Sequence, residues 1–160
     1  MADFEELYTL YARRVYRFLI ALTGNASVAE ELTQQTFYKA FLHIDQYEGR
    51  SGPYTWLCQI GKNTWYRECQ RSKRFAETCV EDVASESYID EEVIRRDEQR
   101  RAVCALRELP SPYQDVLILR IYGELPFAEI AALFEKSESW AKVTFFRGKD
   151  KLRQRMEEQE

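Results

Sequence analysis

The residues with the most evident chemistry lie near the C-terminal end. In "SESWAKVTFFRGKDKL", residues 137–152, Ala141, Phe145, Gly148 and Leu152 recur at spacings of 4, 3 and 4 and make one apolar stripe of a helix. Ser139, Trp140, Val143 and Arg147 then face away from it, with Lys142 and Lys149 beside them. Cations on such a face suit phosphates and guanine edges, and apolar atoms suit thymine methyls, so the face fits a DNA major groove. For Trp140 the competing reading is packing against another helix of the same chain.

A second set lies in "PYTWLCQIGKNTWYRECQRSK", residues 53–73. Leu57, Ile60, Gly61 and Thr64 share a side and can pack. Gln59, Lys62, Asn63, Tyr66, Arg67 and Gln70 share the other. Amides interleaved with tyrosine and cations favour stacking on unpaired bases and reading of their edges. Tyr47 and Arg50, in the preceding loop, can close a pocket around a flipped base. A third set, Glu31, Gln34, Gln35, Tyr38 and Leu42, lines the outward side of a helix over 27–44; its Tyr38 and Leu42 point to a protein partner.

Charge distribution supports two contacts with a polyanion. The formal net charge is −4. Yet residues 50–74 hold six lysines and arginines against one acid, and residues 136–155 hold seven against two. Residues 76–99 between them carry nine acids against two arginines. Two basic segments with an acidic connector describe a chain that meets nucleic acid in two places.

The elements that position these residues all read as helix, because no run shows the period-two alternation of a strand. Gly24 ends a first helix over about residues 2–22. Ser27 with Glu30 makes a capping box for a second, on which Ala29, Thr33, Phe37, Ala40 and Ile44 gather to one side. "EGRSGP" (48–53) breaks the chain, and Pro53 suits the first turn of a third helix. Residues 75–89 lack a stripe and read as a linker. Order resumes near residue 90, where Glu91/Arg95 and Glu92/Arg96 have i,i+4 spacing. Ser111 and Gln114 form a further capping box with Pro112 at the first helical position. Gly123 ends that helix, Pro126 opens the short "PFAEIAALF", and Ser137 caps the helix that follows the turn "EKS". A short helix, a tight turn and a longer basic helix over 126–152 make a helix-turn-helix pattern, with Ile130, Ala131 and Phe134 turned inward.

Other chemistry is thinly represented. Cys58, Cys69, Cys79 and Cys104 stand 11, 10 and 25 residues apart, without CxxC spacing, and read as reduced thiols in or near a helical core. The single histidine, His43, has no nucleophile motif beside it, and no phosphate-cradling glycine loop occurs. Enzymatic function, cofactor and metal are therefore not expected. The longest apolar run, "VYRFLIAL" (15–22), is broken by Arg17 and too short to span a bilayer, and the N-terminus has no secretory pattern. A cytoplasmic location without membrane insertion is the expectation.

At this point the sequence resembles a known family. "AEELTQQTF" with "YTWLCQIGKNTWYRECQRSKR" resembles region 2 of bacterial RNA polymerase sigma factors. "LRELPSPYQDVLILRIYGELPFAEIAALFEKSESWAKVTFFRGKDKL" resembles region 4. With only a short acidic connector, the chain is similar to the extracytoplasmic-function group. The resemblance implies an all-α fold of two small domains: a three-helix-type region 2 over 1–74 and a helix-turn-helix region 4 over 90–160, joined by the linker 75–89. It implies contact of Glu31, Gln34, Gln35 and Tyr38 with the β′ coiled coil of core RNA polymerase, region 4 meeting the β flap. It also implies capture of a flipped −10 base by Asn63 with Tyr47, reading of the −35 element by Trp140, Lys142, Val143 and Arg147, and control by an anti-sigma factor. Glu135 stands where the family usually has glycine, so a left-handed turn there would be strained. Pro126, Gln35, Arg67 and Trp140 also depart from the common residues. An autonomous regulator using only the helix-turn-helix is the alternative, and it leaves the faces around Tyr38 and Asn63 without purpose.

Overall fold

The computed structural model describes residues 4–71 and 91–158, which form two helical units. The expected linker at 75–89 lies outside the described residues. The first unit comprises α1 (Phe4–Thr23), α2 (Ala26–Leu42), a 3-10 turn (Ile44–Gln46) and α3 (Pro53–Arg71); the second comprises α4 (Glu91–Glu108), α5 (Tyr113–Ile121), α6 (Phe127–Leu133) and α7 (Glu138–Glu158). No helix among the described residues is long and apolar enough to cross a membrane.

In the first unit, Leu7, Val15, Phe18, Leu19 and Leu22 of α1 meet Ala29, Leu32, Phe37 and Ala40 of α2, with Leu57, Cys58 and Trp65 of α3 completing the core. The close crossing depends on Gly61: a Cβ there would lie 3.1 Å from Thr36 Oγ1 and 3.2 Å from a Leu19 methyl. Gly24, at φ +70°, ends α1 with its N–H on the Ile20 carbonyl at 2.8 Å. The cap of α2 differs from expectation. Asn25 performs it, its side chain accepting from the Val28 N–H at 3.1 Å, because the chain turns out of α1 two residues before Ser27.

In the second unit, Val116, Leu117, Ile118 and Leu119 are all fully buried, so the middle of α5 is enclosed on every side and forms the hub. It packs on α7, where a Cβ on Gly148 would meet Leu117 at 3.1 Å. The expected capping box at Ser111 and Gln114 is also corrected. Ser111 donates to the Asp115 carboxylate, whereas the Gln114 amide reaches back to the Leu106 and Arg107 carbonyls at 3.2 and 3.0 Å and caps the end of α4. Pro126 sits at the N-cap of α6, one position before the first helical residue.

The turn from α6 to α7 is a Schellman motif. Lys136 donates to the Ala131 carbonyl at 2.9 Å and Glu135 to that of Ala132 at 3.3 Å, which requires Glu135 to adopt φ +58°. Ser137 caps α7 as expected, its hydroxyl accepting from the Trp140 N–H at 3.1 Å.

Candidate nucleic-acid interface

Three of the expected α3 residues stay open. Asn63, Arg67 and Gln70 are exposed. Asn63 and Arg67, with Trp56 and Ile60, form one wall of a groove of about 530 Å³ whose opposite wall is Tyr38, Lys39, Leu42 and His43 of α2 and the following turn. Lys39 donates to Thr64 Oγ1 at 3.0 Å; burial, and then the nearby Arg67, depress its pKa. The groove therefore offers an amide, two cations and aromatic edges within one concavity.

The neighbouring α3 stripe is covered, and here the expectation of an open face is corrected. Lys62 and Tyr66 lie on a stripe with Thr55 and Cys69 that docks on the second unit, so they are not free to meet a ligand in this arrangement, and Gln59 on the same stripe is half-buried with its Oε1 enclosed. Lys62 pairs with Asp115 of α5, with only 3% and 8% of the two side chains exposed. The Glu129 carboxylate of α6 accepts from the Gly52 N–H at 2.7 Å and from Thr55 Oγ1 at 2.9 Å, at the N-terminus of α3. Burial lifts the Tyr66 pKa, the Arg107 charge acting against it. Helical periodicity placed these residues together; what lies over them comes from a distant part of the chain, Asp115 standing 53 residues from Lys62.

Tyr47 and Arg50 do line a small cavity of about 220 Å³ with Gln46, Ser51, Trp56 and Leu133. Tyr47 stacks on Trp56 with ring centroids 4.8 Å apart and donates its hydroxyl to the Ser51 carbonyl. Arg50 pairs with Glu48 at 2.6 Å and with Glu135 of the second unit. Leu133 and Glu135 thus sit beside the loop expected to receive a base. Sequence reasoning missed Asp115 and Glu129, and it marked Glu135 for its left-handed turn but not for its pairing with Arg50. The one available signal was a carboxylate directly preceding the fully apolar "VLIL" of α5, a place where an unpaired charge is costly.

On α7, Ser139, Lys142, Val143, Arg147 and Lys149 are exposed, and Phe146, 60% exposed, joins them. Lys142 approaches Glu138 at 3.7 Å, and Lys149 lies 5.5 Å above the Phe145 ring. Trp140 divides between the two readings. It is half-buried, its ring 5.7 Å from Phe134, so it packs across the helix-turn-helix while part of it stays open. On α2, Glu31, Gln34 and Tyr38 are exposed, while Gln35 is half-buried and donates to Glu31 at 3.4 Å. Phe41 and Leu42, each 55% exposed, continue that face apolarly from Tyr38.

Comparison with known proteins gives these surfaces a context. The families described as Sigma-70 region 2 and Sigma-70, region 4 match residues 7–75 and 99–152. The ECF RNA polymerase sigma factor SigM of Bacillus subtilis is 29% identical over 153 residues, spanning 93% of this chain and 92% of that protein. RNA polymerase sigma factor YlaC of the same organism is 30% identical over 163 residues, spanning 95% and 91%. Among solved structures, the sigma factor RpoE from Bartonella quintana, in complex with the anti-sigma factor NepR, superposes with a TM-score of 0.56 at 22% identity, over 98% of both chains. CnrH, in complex with the cytosolic domain of CnrY, gives 0.57 at 16% identity, over 98% of this chain and 89% of that one. At these identities the likeness is one of fold.

Proposed function

Because the chain belongs to the ECF group of RNA polymerase sigma factors, which are not enzymes, we propose that it binds core RNA polymerase through α2, opens and reads the −10 element through the α2–α3 groove, and reads the −35 element through α7. The observation that carries this reading is the continuity of the first two surfaces. Tyr38 and Leu42 of the partner-type face are also walls of the groove that holds Asn63 and Arg67. A protein docked on α2 would therefore hold DNA against the groove as part of the same contact. Asn63 has both a donor and an acceptor for a base edge. Unstacking a base costs a few kcal/mol, which a receiving pocket offsets.

In this reading the arrangement described above is a resting one. Carboxylates of the second unit take Lys62, Arg50 and the α3 N-terminus, the positive groups that DNA phosphates would otherwise meet. Opening is made easier by the polar atoms buried without a protein partner on or beside the docked α3 stripe: Gln59 Oε1, Trp65 Nε1, the Tyr66 hydroxyl and Arg107 Nε. Polymerase would separate the two units and free the α3 stripe. An anti-sigma factor would hold the chain away from polymerase, as the partner-bound state of RpoE leads us to expect.

The test is order of binding. Purified chain mixed with core RNA polymerase should co-elute on gel filtration, and Tyr38→Ala should abolish co-elution while leaving the helical content unchanged. Tight, sequence-specific binding of duplex DNA by the free chain at physiological salt, with no polymerase association, would favour the autonomous regulator.

A further inference from the structure

We propose that Cys69 of α3 and Cys104 of α4 form an oxidisable dithiol which, closed to a disulfide by a peroxide, locks the two helical units together. The two cysteines belong to different units, and both are only partly buried. One side chain gathers them: Arg107 Nη2 donates to Cys104 Sγ at 3.3 Å, and Cys69 hydrogen-bonds the same guanidinium. That guanidinium is held over the face of Trp65, 5.7 Å from the ring centroid, so the cation is fixed between α3 and α4. Burial acts against its charge and the two cysteines more than offset this, raising the Arg107 pKa. Positive charge therefore stands where a sulfur must become negative to react. Cys58 provides an internal contrast: it is fully buried, and burial pushes its thiol up to about 12.

The chemistry balances with hydrogen peroxide as oxidant. One thiolate attacks a peroxide oxygen; the S–O bond forms, the O–O bond breaks, and the departing hydroxide takes a proton to leave as water. The second sulfur attacks the resulting sulfenic acid; the S–S bond forms, the S–O bond breaks, and a second water leaves. The two sulfurs lose two electrons and the peroxide gains them. The consequence for transcription rests on the function proposed above, since a bond from α3 to α4 would hold the covered α3 stripe shut.

The experiment uses the full-length Cys79→Ser chain, reduced and then treated with hydrogen peroxide. Peptide mapping without reductant should find one cross-linked pair carrying Cys69 and Cys104, with Cys58 unmodified. The Cys69→Ser variant should give no cross-link and a sulfenic or higher acid at Cys104. The oxidised protein should lose promoter-directed transcription with core polymerase and regain it with dithiothreitol. Separate oxidation of the two cysteines without a cross-link would overturn the dithiol, and a cross-link that leaves transcription unchanged would overturn the lock. If the reduced chain itself never supports transcription, the proposed function has failed, and the mapping still decides the dithiol.

Discussion

Lys62 and Asp115, 53 residues apart, form an ion pair buried between α3 and α5, and the Ser111 hydroxyl donates to the second oxygen of the same carboxylate. Removing one member of such a pair costs about 3–5 kcal/mol if the survivor stays buried. Opening the two units lets the survivor reach water instead. Asp115→Ala should therefore increase the radius of gyration in solution scattering, whereas Lys62→Met combined with Asp115→Leu should remain closed, since apolar replacement of both partners is close to neutral. An unchanged scattering curve for Asp115→Ala would show that the pair does not hold the units together.

Glu135 couples two structural demands. Its left-handed conformation closes the turn before α7, at a cost of roughly 1 kcal/mol relative to glycine, while its carboxylate reaches Arg50 of the first unit. Glu135→Gly should thus raise the resistance of the second unit to urea by up to about 1 kcal/mol and at the same time loosen the closed arrangement. Site-resolved hydrogen exchange separates these effects: slower in α6 and α7, faster at the N-terminus of α3.

The α7 face makes a split prediction. Arg147 is exposed, so Arg147→Ala should leave thermal stability within about 0.5 kcal/mol and weaken discrimination at one −35 position by about 1–3 kcal/mol. Trp140 also packs on Phe134, so Trp140→Ala should lose roughly 1–3 kcal/mol of stability in addition. Competition between promoter fragments with single base changes, alongside thermal melts, measures both. Equal melting of the two variants would contradict the half-buried placement of Trp140.

Alkaline stability follows from the buried hydroxyls and thiol. Burial raises Tyr54, Tyr66 and Tyr122 above the ordinary tyrosine value of 10.0, and raises Cys58 from 9.0 to about 12. The folded state holds these protons more tightly, so their contribution is whole below about pH 9 and falls as pH rises toward the folded values. Urea midpoints should be flat up to about pH 9 and decline above it; a midpoint that rose between pH 9 and 11 would contradict the burial of these groups.

Local signals and distant ones fared differently in the sequence. Gly24, Pro53 and the Ser137 cap act within a few residues of themselves, so they were legible, as was the α7 stripe of Ala141 and Gly148. The two misplaced caps show the limit of such patterns. Ser27 fits a capping motif, but Asn25 comes first after the Gly24 turn; Gln114 fits one too, but finds the carbonyls of α4 within reach. On α3, periodicity could say that Gln59, Lys62 and Tyr66 share a side with Asn63, but not that the second unit covers Lys62 and Tyr66. That depends on Asp115 and Glu129, whose partners no local pattern reveals. The α2 face around Tyr38 could be read as outward-facing because, among the described residues, none folds over it.

The most direct test is run-off transcription with purified core RNA polymerase on a promoter library, followed by permanganate footprinting of unpaired thymines on the selected promoters. The account predicts promoter-specific initiation by the full-length chain, with Asn63→Ala still assembling with polymerase and binding promoter DNA but failing to expose thymines at the −10 element. No specific initiation with any promoter would contradict the function. Normal melting with both Asn63→Ala and Tyr47→Ala would show that the base-receiving groove between α2 and α3 has been put in the wrong place.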